Sequence, residues 1–351
     1  MSNFHWINSV REVSPAALTV RAQAISPNDN GRLMWDLFFP RLPVSSVDLK
    51  DVTSLDYRPV SDRREWNQNG RLIPVKTPNF RDISIVPVEG YYQWGEYELQ
   101  ILAERTNGNA ALLAEIMQND VPGRVAAITA ANYRRLEVDA FQAWLLGTLT
   151  QRNPQNSAET YTASFAFDAS RYQTAGTAWN DTGLNAYDEL LAWLADARDA
   201  IGSIRGVACR QNFANAVLAD APDLAGGAKM TRVQLEQRIQ DDLGSDFKFY
   251  VNEHTVEVFD DGGTATTQTK VHTAQKIAAI PSDVNVGNMA FAPVIRAMDI
   301  ARALPQAKID TNGQTAFYRE HNGGRELSVE VQVNAAPIPN EQKLYVMDVG
   351  F

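Results

Sequence analysis

The chain carries a single cysteine, Cys209, so no internal disulfide framework can brace it. No apolar run approaches the ~20 residues that a membrane-spanning helix needs. The first residues, MSNFHWINSVREVSPAAL, lack the basic start and apolar core of a secretory signal. Synthesis in the cytosol, without a membrane step, is expected. Positive charge is in short supply: 32 Lys and Arg against 42 Asp and Glu leave a net charge of −10. That balance argues against a polyanion-binding surface as the main business of the protein.

Catalytic signatures are missing too. The sequence has no phosphate loop, dinucleotide fingerprint, HExxH, CxxC or GxSxG pattern. His5, His254, His272 and His321 stand too far apart for ligand spacing, so neither a metal centre nor a cofactor is expected. Asp181-Thr182-Gly183 matches an aspartic-protease triplet but follows Trp179-Asn180 and opens a helix, which makes it a turn and N-cap. Asp260-Asp261-Gly262-Gly263 lacks the ligand alternation and closing Glu of a calcium loop and reads as a hairpin turn. Cys209 lies in an apolar strand, as an inert core thiol does. Arg134 and Glu137, at i,i+3, read as a structural ion pair. These absences shift the odds from enzyme to structural or binding protein, and no catalytic residue is assigned.

What the chain does have is a long helix. Asp120 to Thr150 contains no Gly or Pro between Gly123 and Gly147; Asp120 can cap it and Pro122 fits its first turn. Val138, Phe141, Leu145 and Leu149 fall on one side, with Tyr133, Leu136, Ala140 and Trp144 on the next. Only the strip of Arg135, Asp139 and Gln142 is polar. Such a wide apolar arc implies packing by several elements. Its expected core residues are Val138, Phe141, Trp144, Leu145 and Leu149.

Residues 1–40 read as an arm, with a short helix from Pro15 to Ser26. Residues 41–86 are extended, because Pro43, Pro59, Pro74 and Pro78 exclude helix. Asn69-Gly70 is a type I′ hairpin signal. The charged residues around this tip, Arg58, Asp62, Arg63, Arg64, Glu65 and Arg71, leave the hairpin without a core of its own. It must lean on another subunit. Glu96–Glu104 and Asn109–Gln118 read as short separate helices. From about 180 the pattern alternates helix and strand, with a capping box at Thr231–Gln234 and a stop at Gly244. Near the end, Leu327, Val329, Val331 and Val333 alternate with Ser328, Glu330, Gln332 and Asn334, which predicts one buried and one wet face.

In this order, three segments resemble the major capsid proteins of tailed phages, specifically the lambda-type family. Tyr57-Arg58-Pro59-Val60, Asn69-Gly70-Arg71-Leu72-Ile73-Pro74-Val75 and Pro78-Asn79-Phe80 resemble that family's extended loop. Leu136-Glu137 with Ala143-Trp144-Leu145-Leu146-Gly147 resembles the end of its spine helix. Ile280-Pro281-Ser282-Asp283 with Val286-Gly287-Asn288 resembles the end of its inserted axial domain. The resemblance implies an α+β chain of the Hong Kong-phage-type capsid fold. Its parts would be an N-terminal arm (1–40), an extended hairpin loop (41–86), a peripheral domain (87–180 and 305–351) with a spine helix at about 121–150, and an axial domain (181–304). It further implies a shell protein that self-assembles as hexamers and pentamers into the icosahedral head of a double-stranded DNA bacteriophage. The hairpin residues Arg58, Arg63, Arg64, Glu65, Asn69, Gly70 and Arg71 would make intersubunit contacts. Portal, scaffolding and decoration proteins would be partners, DNA would be enclosed without sequence-specific binding, and assembly would occur in the host cytoplasm. A nanocompartment shell of the encapsulin type is the alternative on the same fold. A hydrolase without recognisable spacing is the alternative of another class.

Overall fold

The computed structural model describes residues 13–27, 33–52, 80–107, 109–153, 156–165, 167–179, 185–223, 227–244, 246–259, 266–272, 275–321 and 326–350. The first helix, α1 (Pro15–Ala24), starts where Ser14 accepts the Ala17 N–H and Pro15 needs none. A short α2 (Trp35–Phe38) leads into β1 (Arg41–Pro43), β2 (Asp48–Val52), β3 (Phe80–Ser84) and β4 (Pro87–Trp94). Next come α3 (Glu96–Arg105), the long α4 (Ala110–Leu146), β5 (Thr148–Asn153), β6 (Asn156–Ser164) and β7 (Tyr172–Thr174). The next stretch runs α5 (Ala186–Ile201), β8 (Ile204–Cys209), α6 (Gln211–Asp220), α7 (Arg232–Leu243), β9 (Lys248–Val251), β10 (Thr255–Phe259), β11 (Thr266–Lys270) and β12 (Lys276–Pro281). The last elements are β13 (Gly287–Ala292), α8 (Ile295–Ala303), β14 (Thr315–His321), β15 (Glu326–Pro339) and β16 (Val346–Asp348).

Two five-stranded sheets organise these elements. In the first the order is β1-β13-β15-β14, with β4 on the other side of β15. In the second it is β7-β16-β12-β8-β9. The N-terminal half of α4 packs Leu113, Met117, Val121, Val125 and Ile128 on Leu327, Val329 and Val331 of the first sheet. Its C-terminal half, from Tyr133 to Leu145, also reaches Ala278 and Ile280 of the second. Ile277 and Ala279, the alternate residues of β12, face α5, α6 and α7 instead. Helices therefore cover both faces of the second sheet, and β12 has no polar side.

The long helix is longer than its sequence suggests. It begins at Ala110, where Asn109 accepts the N–H groups of Ala111 and Leu112, and Pro122 lies inside it rather than at its start. An interior proline costs about 3 kcal/mol. The five apolar side chains flanking it are buried on one face and contribute about 1.5–3 kcal/mol each, which outweighs that cost. The expected break between Asn109–Gln118 and the long helix does not occur. The helix ends at Gly147 (φ 65°), where a Cβ would meet Phe167 and the Tyr172 hydroxyl at 3.2 Å. Leu149, assigned from its spacing to the helix core, thus belongs to β5, where it is buried against Ala143 and Phe165.

Three other expectations need correction. Asp139 is completely buried and pairs with Arg135 at 2.8 Å, so only Arg135 and Gln142 of the polar strip see solvent. The face of β15 expected to be wet is largely covered, with Ser328, Glu330 and Asn334 buried. Within the segment read as an arm, Leu18, Ala22, Trp35, Phe38 and Phe39 are core residues. Thr19 explains part of that anchorage: its hydroxyl both accepts from the Ala316 N–H and donates to the Ala316 carbonyl at 3.1 Å. One side chain thereby satisfies an edge-strand residue that would otherwise offer its backbone to another chain.

The expected domain limits also shift. β13, inside the range 181–304, joins the first sheet, while β7 and β16, outside it, complete the second. The backbone of β12 explains this. It pairs with β8 on one edge and needs β16 on the other. The chain crosses between sheets at residues 282–286. Val284 sits there at φ 61°, a conformation that costs about 1–2 kcal/mol and is offset by burial of its side chain in the shared core.

Candidate functional site

Two groups of residues were expected to carry function, and the structure treats them differently. The hairpin residues Arg58, Arg63, Arg64, Glu65, Asn69, Gly70 and Arg71 lie outside the described residues. The base of that segment is described. β2 and β3 pair from Asp48↔Ser84 to Val52↔Phe80, the Ile85 N–H donates to Val47 O at 2.8 Å, and Ile85 is buried against Ala290, Ala292 and Ala336. The β2–β3 pair is thus fastened to the first sheet through Ile85. In the helix group, Phe141, Trp144 and Leu145 are buried, the rings of Phe141 and Trp144 lie against Phe38, and Val138 is half-buried.

The sequence reading missed the role of Glu137. This carboxylate on α4 is fully buried and accepts from the Met34 N–H at 3.0 and 3.1 Å, the Trp35 N–H at 2.7 Å and the Asn252 amide at 3.1 Å. His254 Nδ1 lies 3.4 Å away. Glu137 therefore caps α2 and ties together three remote segments: the N-terminal region, α4 and the β9–β10 connection. The expected pairing with Arg134 is replaced by these contacts, and Arg134 points to the exposed rim of a cleft of about 160 Å³ that also includes Leu33, His254 and Val271. The available signal was a glutamate inside an apolar arc, a position that burial penalises unless donors converge on it.

A second carboxylate cluster lies on the outer face of the first sheet. The Ser328 hydroxyl donates to Glu330 at 2.8 Å, and Arg319 reaches Glu330 at 3.0 Å and Glu89 at 3.7 Å. Burial, a hydrogen bond with Glu330 and that neighbour's charge raise the Glu89 pKa, against the lowering effect of Arg319 and Arg296. A raised carboxylate contributes stability that is complete below the ordinary carboxylate range and lost as pH climbs through the raised value. Glu89→Gln should therefore flatten the pH dependence of the melting temperature between acid and neutral conditions. An unchanged profile would place the sensitivity elsewhere.

Among the described residues no group of three or more His, Cys, Asp and Glu is arranged to hold a metal ion, and no helix is long and apolar enough to cross a membrane. Cys209 is completely buried, and burial pushes its thiol pKa far up. It should resist maleimide in the folded subunit and react only on denaturation, as mass spectrometry would register; rapid labelling of native protein would contradict that burial.

No family model matches the chain, and no curated protein matches it. Solved structures do. A protein assigned as the capsid protein of a prophage in Escherichia coli CFT073 superposes with a TM-score of 0.54 at 13% identity, covering 94% of this chain and 96% of its own. The chain has the Hong Kong-phage-type capsid fold. The capsid of the myovirus XM1 gives a TM-score of 0.45 at 14% identity, with 86% of each chain covered. An encapsulin from Synechococcus elongatus PCC 7942 gives 0.39 at 11%, with 93% and 90% covered.

Proposed function

We propose that this chain is a major capsid protein that self-assembles into the icosahedral head of a tailed double-stranded DNA phage. The observation that carries the reading is the end-to-end likeness to a prophage capsid protein, over 94% of the chain. Two physical features support it. Residues 53–79 are rich in charge, and the strands that flank them in sequence, β2 and β3, are paired and lead into Ile85, which is fixed on the first sheet. A net charge of −10 suits a container that holds DNA without gripping it. In this reading the second sheet and its helices form the axial domain around the five-fold and six-fold axes, and the first sheet with α4 forms the peripheral domain. The role is structural rather than catalytic. Portal, scaffolding and decoration proteins are the proposed partners, with assembly in the host cytoplasm and residence in the virion. Electron microscopy of the full chain, co-expressed with the scaffold where one is encoded, should reveal closed particles. Only subunit-sized species would sink the reading, and particles filled with protein cargo instead of DNA would favour the encapsulin-type shell.

The hairpin carries its own test. Arg63→Glu with Arg64→Glu should leave the melting temperature of the isolated subunit unchanged and reduce particle yield. One exposed ion pair is worth only about 0–1 kcal/mol, but reversal adds repulsion at every repeated contact. Normal shells at low salt would remove the hairpin from the interface; loss of subunit folding would assign it to a core.

A further inference from the structure

The turn between α8 and β14 holds an asparagine followed by a glycine, Asn312-Gly313. In such a pair the glycine nitrogen, with no Cβ beside it, can approach the asparagine side chain closely. Removal of the Gly313 N–H proton by hydroxide lets that nitrogen attack Asn312 Cγ. The new N–Cγ bond closes a succinimide ring, the Cγ–Nδ2 bond breaks, and ammonia leaves. Water then opens the ring to aspartate, or to isoaspartate, in which the main chain runs through Cβ and Cγ. In the folded subunit each reacting group is occupied. Asn312 Nδ2, the leaving amine, donates to Val44 O at 2.8 Å and to Phe291 O at 2.6 Å. Its Oδ1 accepts from the Thr311 hydroxyl at 3.1 Å. The Gly313 N–H donates to Asp310 O at 3.2 Å, and Gly313 is buried. The turn is pinned from α1, where the Gln23 side chain donates to Asp310 O at 2.7 Å and accepts from the Asp310 N–H at 3.0 Å.

The amide therefore cannot swing toward the Gly313 nitrogen without breaking two hydrogen bonds that also tie Val44, just after β1, to the turn and to Phe291 of β13. We infer that Asn312 is a latent deamidation site, shut in the folded subunit, open whenever this turn comes loose, and irreversible in effect once it has reacted. The aspartate carboxylate would face Val44 O and Phe291 O, two acceptors where the amide had presented donor hydrogens. Isoaspartate lengthens the main chain beside Gly313, where even a Cβ would come within 3.0–3.2 Å of the Gln23 side chain. Either product blocks reclosure of the turn. A subunit that has spent time open is thereby marked and does not return to its native arrangement. The inference concerns the single subunit and stands apart from the shell reading, whose test is particle formation.

The experiment holds the full chain at mildly alkaline pH, folded in buffer and unfolded in guanidinium chloride, and follows the peptide that spans Asn312 by mass spectrometry. Conversion should be slower in the folded subunit by about tenfold or more, because the turn must open first. Equal rates would overturn the inference. Gln23→Ala unpins the turn without touching the reacting atoms and should raise the folded-state rate severalfold; an unchanged rate would remove the turn as the gate and overturn it too. For the block, Asn312→Asp is compared with Asn312→Ala, which loses the same hydrogen bonds without adding charge. The aspartate variant should have the larger unfolding constant, by about tenfold, since its carboxylate meets two carbonyls. Equal denaturation midpoints for the two variants would overturn the block.

Discussion

Glu137→Ala is expected to cost the subunit about 3–5 kcal/mol, a large share of a typical domain's total stability. The carboxylate is fully buried, and its removal strands the N–H groups of Met34 and Trp35 and the amide of Asn252. Each stranded buried donor costs about 1–3 kcal/mol. Glu137→Gln keeps the shape but turns one acceptor into a donor that faces other donors, so it should fall between the alanine variant and the native protein. Urea unfolding midpoints report the series. A native midpoint for the alanine variant would mean that those donors find other acceptors. The loss should also appear as faster proteolysis near residues 33–39, because the capping of α2 depends on this one side chain.

Leu145→Asp should prevent accumulation of folded, soluble protein. Leu145 is 1% exposed and packs in the core shared by α4 and both sheets. An unpaired charge there costs several kcal/mol, and no basic partner is described beside it. The next residue supplies the control: Leu146 is 43% exposed, and Leu146→Asp should change stability by no more than about 0.5 kcal/mol. Soluble yield and circular-dichroism melting separate the two. Equal behaviour would mean that the packed face of α4 is misassigned.

Elements whose signal is local were legible in the sequence. The Thr231–Gln234 capping box, with Gly244 closing α7 at φ 68°, needs only neighbouring residues. The same holds for the alternation of Leu327, Val329 and Val331. Features set by distant partners were not legible. Pro122 reads as a helix start because the β15 residues on which the flanking side chains pack are invisible from residues 113–128. Asp139 reads as part of a polar strip and Glu137 as the ion-pair partner of Arg134, since Arg135 and the N–H groups of residues 34 and 35 reveal their orientation only in three dimensions. Residues 1–40 read as an arm because the strands that their helices pack on lie more than 200 residues away. The alternation of β15 identified the faces but not what covers the polar one, because β4 and β14 bring Glu89 and Arg319 there from remote positions.

The place of β16 in the second sheet sets an order of events. Residues 346–348 pair with β12 on one side and with β7 on the other. Until they arrive, β7 has no neighbour in that sheet and one edge of β12 stays open. A growing chain on the ribosome can thus complete α4 and the α5–α7 layer early, yet its second sheet remains unsealed until almost 350 residues have been made. Sealing of the second sheet is in this way coupled to the synthesis of residues 346–348. Shorter translation products would carry an exposed strand edge, a feature that quality-control proteases and chaperones can recognise.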